Sequence, residues 1–261
     1  VQAIYPFDAV NLIGGSVYYT IPATQKYVKG SFASGVMPMG AYAPDGVSVL
    51  TFTNLMGLLK LQLTGSGESV KEIKVASMTA NEISGGTRVS CSSEGVYIDP
   101  YGSRAEDRYL TLGFESPVAL GATPEEFLIA IPLGTHNLSL SITTTDGNSD
   151  KTYYKNTTGT TSVENTILKM PNLNLPDDVI VPTENSYIEN GLYFGEGVSI
   201  TMGDKTVVFA PVNCGYHPVD YPVGKLYQWG RVDGSGYNDG TTYMENIIQE
   251  YTAAAYGWSG S

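Results

Sequence analysis

Histidine, cysteine and basic side chains are all scarce in this chain. Its 261 residues include two histidines and two cysteines, and the 14 Lys and Arg side chains face 26 Asp and Glu. The resulting formal charge of −12 disfavours nucleic acid and anionic lipid as partners. Two cysteines cannot form a disulfide framework, so Cys91 and Cys214 are either one long-range bridge or two buried free thiols.

Long apolar runs are also missing. No stretch approaches the ~18 apolar residues that a membrane helix needs. Residues 1–9 have neither the basic start nor the apolar stretch of a signal peptide. We therefore expect the chain to begin as a mature protein or a fragment, and its abrupt end at residues 253–261 suggests truncation.

Turn and strand formers are abundant instead. The chain has 30 Gly, 14 Pro and 19 Tyr, and its hydrophobic fraction of 42% is enough to bury a core. We predict an all-β fold from strand-like segments at Ser16–Ile21 and at residues 47–53, 57–63, 70–77, 109–114, 127–131 and 138–144. Alternating leucines predict that two of these strands share one buried layer; they are Leu59, Leu61 and Leu63, with Leu138, Leu140 and Ile142.

The composition changes at residues 171–182 (PNLNLPDDVIVP), where three prolines interrupt regular structure. We predict a β-sandwich domain over residues 1–170, a Pro-rich linker over 171–182 and a smaller β-rich domain over 183–261. The smaller domain is expected to have strands at residues 187–194, 198–202 and 206–211 and one helix near residues 241–256. A capping box and an apolar stripe indicate that helix, which we expect to pack in the core; these residues are Thr242 with Glu245, and Met244, Ile247, Ile248 and Tyr251.

Residues that could carry catalysis or hold a metal are few. His136 and His217 lie in apparent turns and are expected to be solvated or structurally bonded, so no catalytic residue is assigned. Cys214 and His217 form a lone C-x-x-H without the second pair that zinc requires. No phosphate-binding loop occurs, and we expect no cofactor and no metal.

Acidic and polar motifs also have ordinary structural interpretations. Residues 146–150 (DGNSD) predict a turn, because the segment is too short for an EF-hand calcium loop. The adjacent acidic pairs Glu125-Glu126 and Asp177-Asp178 are interpreted as solvated turn charges. The sequons at Asn137 and Asn156 are interpreted as chance matches.

Aromatic residues crowd the end of the chain. They could fill a small core or stack on sugars, and the sequence leaves both alternatives open. The residues are Tyr227, Trp229, Tyr237, Tyr243, Tyr256 and Trp258.

The first 170 residues resemble the fimbrillin-like surface proteins of Bacteroidota. The resemblance rests on consecutive segments at residues 5–7 (YPF), 21–27 (IPATQKY), 30–32 (GSF), 52–65 (FTNLMGLLKLQLTG), 70–75 (VKEIKV) and 127–132 (FLIAIP). It implies a transthyretin-like β-sandwich, exported as a lipoprotein and built into fimbriae or held at the outer membrane. It also implies subunits joined by donated strands. The lipidated cysteine of the family is missing here, and so are its first strands before Val1, which implies an open groove for a neighbour's strand.

Two later segments resemble the Fibrobacter-type major paralogous domain. They are residues 209–216 (FAPVNCGY) and 224–231 (GKLYQWGR). That family is longer than the remaining chain, so we expect the C-terminal domain to be incomplete.

Together these observations predict a non-enzymatic fimbrial subunit or adhesin of the cell surface that assembles by β-strand exchange. Its expected partners are other fimbrial subunits and host or bacterial surface glycans or proteins. The alternative is a surface glycan-binding accessory protein that uses the C-terminal aromatics. The sequence leaves open the adhesive target, the shaft, tip or anchor role and the identity of the exchanged strand.

Overall fold

The computed structural model describes residues 2–45, 49–100, 104–162, 166–189, 191–213, 216 and 218–219. Two compact units are present: the first comprises Val1–Thr183 and Asn190–Tyr193, and the second comprises Glu184–Glu189 and the described residues from Phe194 onward. The helical elements of the described part are two short 3₁₀ helices, Phe7–Ala9 and Ala105–Arg108. Within it, no helix is long and apolar enough to cross a membrane.

The described residues otherwise form strands and loops, and the predicted all-β fold is confirmed. The nineteen strands of this described part are β1 Gln2–Tyr5, β2 Val10–Ile13, β3 Ser16–Ile21, β4 Thr24–Lys26, β5 Met39–Tyr42, β6 Thr53–Asn54, β7 Met56–Thr64, β8 Ser69–Ser77, β9 Gly85–Ser92, β10 Gly95–Pro100, β11 Tyr109–Ala119, β12 Glu125–Pro132, β13 Gly134–Thr145, β14 Asp150–Ser162, β15 Ile167–Asn174, β16 Ser186–Glu189, β17 Leu192–Glu196, β18 Val198–Met202 and β19 Lys205–Phe209.

A sandwich of two sheets forms the centre of the first unit. One sheet has the strand order β14-β13-β8-β11-β4, and the other has the order β12-β7-β15. The predicted alternation is confirmed, because the leucines of β7 and the apolar residues of β13 lie in one core with almost no exposure. Those residues are Leu59, Leu61 and Leu63, with Leu138, Leu140 and Ile142.

The three-stranded sheet is buried on one face along β7, and its other face is buried only around the start of β7. Leu59, Leu61 and Leu63 contact the sandwich core, whereas Met56 and Leu58 belong to a second core. A strand segment buried on both faces carries continuous apolar sequence, which explains the run MGLL at residues 56–59; from there on, the half-buried Lys60 and Gln62 alternate with buried leucines. The second core also receives residues from the sheets β1-β5-β6 and β10-β9-β3-β2.

Both seams of the sandwich are bridged. At one seam β4 pairs in parallel with β11, while the amide of Gln25 binds the backbone of Ala130 in β12. At the other seam Ile180 and Tyr154 exchange two backbone hydrogen bonds of 2.8 and 2.9 Å. Outside this sandwich, β1 and β2 each end a sheet and have a strand neighbour on one side only.

Two of the predicted strands are wrong in the structure. Residues 49–52, part of the predicted strand at 47–53, are irregular, and only Thr53 enters β6. The predicted strand at 187–194 breaks into β16 and β17, because Gly191 has a φ of +77° that ends an extended segment. The remaining strands predicted for residues 1–170 match β3, β7, β8, β11, β12 and β13.

Residues 171–182, predicted as a linker, continue the first unit. Their first four residues complete β15, and Leu173 and Leu175 are buried in the sandwich core. Ile180 then forms the bridge to Tyr154. The composition break therefore marks the exit of the chain from the sheet, and the first unit extends to Thr183. The predicted helix near residues 241–256 lies outside the described residues.

In the second unit, β18 and β19 form an antiparallel hairpin in which Val198 is opposite Phe209. The ring of Phe194 also contacts those of Tyr187 and Tyr216 in this unit. The glycine at position 197 is required by space, since a Cβ there would lie 2.6 Å from a methyl carbon of Val208.

Candidate functional site

His136 is buried on β13 and has a structural contact. Its Nε2 lies 3.0 Å from the carbonyl oxygen of Pro132 and donates to it, since a carbonyl can only accept. Its Nδ1 has no hydrogen-bond partner in the described part of the chain. Burial lowers the pKa of His136, which keeps the imidazole neutral. His217 lies outside the described residues.

The acidic pairs take part in local contacts. Glu125 accepts a hydrogen bond from the hydroxyl of Tyr27 at 2.8 Å, and Glu126 forms an ion pair with Lys60. Successive residues on β12 point to opposite faces, so Glu125 and Glu126 do not act on one ligand together.

The other pair stabilises the turn after β15. Asp178 accepts from the backbone N–H of Asn174 at 2.8 Å, and Asp177 accepts from the Asn174 side-chain amide at 2.8 Å. Both carboxylates are therefore occupied by the turn itself.

The loop at residues 146–150 is a turn, as predicted. Asp146 Oδ1 accepts from the backbone N–H groups of Asn148 and Ser149, each at 2.8 Å, and these bonds lower its pKa. Asp150 forms an ion pair with Lys71 at 2.6 Å. Across the described residues, no three His, Cys, Asp or Glu side chains come together as metal ligands would.

Both sequon asparagines have structural bonds. Asn137 Oδ1 accepts from the backbone N–H of Gly159 at 2.8 Å. Asn156 Oδ1 accepts from the hydroxyl of Ser139 at 2.7 Å, and these two residues face each other across β13 and β14. The sequon asparagines therefore lie in a strand pair rather than in a loop, Asn137 at a register shift and Asn156 in the ladder.

Cys91 is a buried thiol on β9, and burial raises its pKa. A raised pKa keeps the thiol protonated and poorly nucleophilic. Cys214 lies outside the described residues, so the choice between bridge and free thiols stays open. The six aromatic residues predicted to fill a core or bind glycans also lie outside them; they are Tyr227, Trp229, Tyr237, Tyr243, Tyr256 and Trp258.

The most exposed apolar surface of the first unit follows residues 2–13, which we call the N-terminal edge. β1 ends one sheet and β2 ends another, so each has a neighbour on one side only. The exposed fractions are 59% for Tyr5, 85% for Phe7, 73% for Leu12 and 63% for Ile13. The edge therefore combines unpaired strand backbone with large exposed apolar side chains.

A two-residue turn sets the position of β2. Gly14 and Gly15, with φ of +57° and +80°, join β2 to β3 in an antiparallel hairpin. Positive φ at both central residues is the geometry that a tight hairpin favours and that glycine adopts without strain. This Gly-Gly signal between residues 10–13 and 16–21 was the sequence evidence for β2, and sequence reasoning missed it.

Comparison of the chain with protein-family models and with curated proteins gave no match.

Proposed function

We propose that this chain is a non-enzymatic fimbrial subunit or adhesin of the bacterial cell surface, and that copies assemble through strand pairing at the N-terminal edge. The observation that carries the proposal is the unprotected edge strand β2. Its residues Val10, Asn11, Leu12 and Ile13 include no charge and no proline, and the last three are exposed. Such an edge offers free N–H and C=O groups to another strand.

Three other strand edges of the first unit carry features that oppose the addition of a strand. β10, at the opposite edge of the sheet that contains β2, ends in Asp99 and Pro100, and proline cannot donate to a partner strand. β4 carries Lys26, which is paired with Glu115 at 2.6 Å. The backbone of β12 is bound at Ala130 by Gln25. The contrast supports β2 as the surface left available for assembly.

Fimbriae and adhesins have to be rigid in tension and soluble as free subunits. The long hydrogen-bonded ladders that β13 forms with β14 and with β8 provide rigidity in tension. The net charge of −12 provides solubility of the free subunit. The resemblance of residues 1–170 to fimbrillin-like proteins supports the same function. The alternative of a glycan-binding accessory protein depends on aromatics outside the described residues.

The proposal is tested by placing one charge on the edge. Wild-type protein should form concentration-dependent assemblies, measured by size-exclusion chromatography with light scattering and by electron microscopy. Leu12→Lys should remain monomeric, because a lysine on an edge strand opposes addition of another strand. Circular dichroism of each variant establishes that it is folded.

Val49→Lys is the matched control. Val49 is 71% exposed, close to the 73% of Leu12, but lies outside the strands. This variant should assemble as wild type does. A wild-type protein that stays monomeric at every concentration would overturn the proposal, and so would assembly of Leu12→Lys equal to that of wild type.

A further inference from the structure

The sheet β10-β9-β3-β2 has one face in the second core and one face in solvent. Tyr19 and Val89 lie on the core side, and the residues next to them point outward. The pairing register places Asn11 opposite Tyr18, Tyr18 opposite Arg88, and Arg88 opposite Asp99. These four side chains therefore form one row across all four strands, roughly 14 Å long at the usual strand spacing.

We call this solvent side the outer face. A second row beside the first carries Ile13 at one end and Tyr97 at the other, opposite Ser90. Tyr97 is 43% exposed, and Tyr18 is half-buried. On β9, between the strands of the two tyrosines, the outward residues are Arg88, which is opposite Tyr18, and Ser90, which is opposite Tyr97.

The polar groups of the row are available to a ligand. The side chains of Asn11, Arg88 and Asp99 are exposed, and none makes a hydrogen bond or ion pair within the described residues. An amide, a guanidinium and a carboxylate are planar groups that donate or accept hydrogen bonds in pairs. Vicinal hydroxyls of a sugar supply matching pairs of donors and acceptors.

The charge of the face selects among ligand classes. Arg88 and Asp99 are direct neighbours of opposite sign, so the row is locally neutral. A polyanion such as nucleic acid would meet Asp99 and the overall charge of −12. A neutral ligand that presents hydroxyls and apolar C–H faces fits better, because tyrosine rings contact the C–H face while the polar row binds the hydroxyls.

We propose that the outer face is a binding site for neutral glycans, with the chain of sugars lying along the row from Asn11 to Asp99. Tyr18 and Tyr97 supply the stacking surfaces, and Arg88 is the central hydrogen-bond donor. This site goes beyond the proposed assembly function, and of its row only Asn11 lies on the assembly strand β2. Leu12 belongs to the assembly edge, whereas Arg88 and Tyr97 lie on β9 and β10 away from it.

The test is affinity electrophoresis of the full chain in gels that contain soluble polysaccharides. The panel contains α-glucan, mixed-linkage β-glucan, mannan and galactan, with polygalacturonate as the anionic probe. Wild type should be retarded by at least one neutral polysaccharide and not by polygalacturonate. Tyr97→Ala and Arg88→Ala should each weaken that binding about tenfold, the effect of losing one contact of ~1.4 kcal/mol.

Matched controls distinguish this site from other surfaces and from assembly. Tyr5→Ala and Arg104→Ala remove exposed residues of the same types elsewhere, and both should bind as wild type does. Leu12→Lys should keep glycan binding even where it abolishes assembly, and Arg88→Ala should keep assembly.

Three results would overturn the proposal. They are no retardation by any neutral polysaccharide, unchanged binding by both Tyr97→Ala and Arg88→Ala, and equal loss in the Tyr5→Ala control. Retardation by polygalacturonate alone would also contradict it, because the site would then select charge.

Discussion

The side-chain amide of Gln25 pairs with the backbone of Ala130 in both directions. Its Nε2 donates to the carbonyl oxygen of Ala130 at 2.8 Å, and its Oε1 accepts from the Ala130 N–H at 2.9 Å. Gln25 is 2% exposed, so water does not replace these bonds. One side chain thus occupies the hydrogen-bonding position that a neighbouring strand would take on the edge of β12.

Gln25→Leu should therefore destabilise the first unit strongly. Leucine fills a similar volume but leaves the N–H and C=O of Ala130 buried without partners, which costs about 2–4 kcal/mol in total. The measurement is the free energy of unfolding from urea titration followed by circular dichroism. Gln62→Leu is the control, because Gln62 binds the Glu126 side chain at 3.1 Å rather than backbone, and it should cost less than about 1 kcal/mol. Equal costs for the two variants would contradict this account of the seam.

Gly85→Ala should be costly for two separate reasons. Gly85 has a φ of +91°, and a Cβ there would lie 2.3 Å from Cγ of Asp107. We expect a loss of about 2–3 kcal/mol in the free energy of unfolding. Gly14→Ala, where φ is +57° and nothing lies within 4 Å, isolates the backbone contribution and should cost about 1 kcal/mol. Gly121→Ala involves neither a positive φ nor a close contact and should leave the free energy of unfolding almost unchanged. A Gly85 variant no worse than the Gly14 variant would show that Asp107 moves aside freely.

Protonation of His136 should weaken the fold below neutral pH. Burial lowers the folded-state pKa of His136 below its ordinary value of 6.5, so the unfolded chain binds the proton more readily. The stability present above pH 6.5 is then lost as the pH falls below it. Thermal melts between pH 8 and about 5 should show this slope in wild type and a flatter slope in His136→Gln.

The carboxylate of Glu115 provides the control for that experiment. Lys26 lowers the pKa of Glu115 from its ordinary value of 4.5. Glu115→Gln should therefore change the pH dependence only below about 4.5 and leave the slope near pH 6 as in wild type. A wild-type melting temperature that is constant from pH 7 to 5 would contradict the role given to His136.

Two tyrosines should make the fold sensitive to alkali. The hydroxyls of Tyr27 and Tyr153 donate to Glu125 at 2.8 Å and to Glu68 at 2.6 Å. Burial, and then these carboxylates, raise the pKa of each tyrosine from 10.0 to about 12. A raised folded-state pKa means stability that is complete below pH 10 and lost as the pH rises through about 12.

Urea midpoints measured at pH 9 and near pH 11 provide the test. Tyr27→Phe and Tyr153→Phe should each lose less stability over this interval than wild type. At pH 9 the urea midpoints of both variants should be lower than that of wild type. A phenylalanine variant with the full wild-type loss would show that its tyrosine ionises normally in the folded protein.

The sequence predicted well those sandwich strands whose side chains are buried on one face only or in a continuous apolar run. The alternation in β13 and the apolar run in β7 depend only on which face meets a core. The prediction of a strand at 47–53 was wrong because apolar residues alone do not supply a neighbouring strand to pair with. Val49 and Phe52 of this segment are exposed. β14 was missed because its Thr, Asn and Lys residues lack an apolar pattern, and its pairing with β13 supplies its order.

The surfaces proposed for function could not be read from sequence for a different reason. The outer face joins residues 11 and 18 to residues 88 and 99, and only the register of β3 with β9 brings them together. The prolines of residues 171–182 predict a linker, yet the first four of these residues belong to β15, which pairs in parallel with β7 more than a hundred residues earlier. Local propensity carries no information about such distant pairings.

The Gly14-Gly15 turn lets β2 pair with β3 quickly and separate from it easily. A strand paired through a two-residue loop forms in microseconds, because the loop that closes is very short. It can also open independently of the rest of the fold, because its pairing requires no contact that is distant in sequence. β2 adds only Val10 to the second core, so little burial opposes that opening. Each opening exposes the edge of β3, which is a longer strand. Tyr19 and Ile21 of β3 remain buried in the core. In the proposed assembly, a second copy of the chain would therefore meet two strand edges in turn, that of β2 while it is paired and that of β3 while β2 is open.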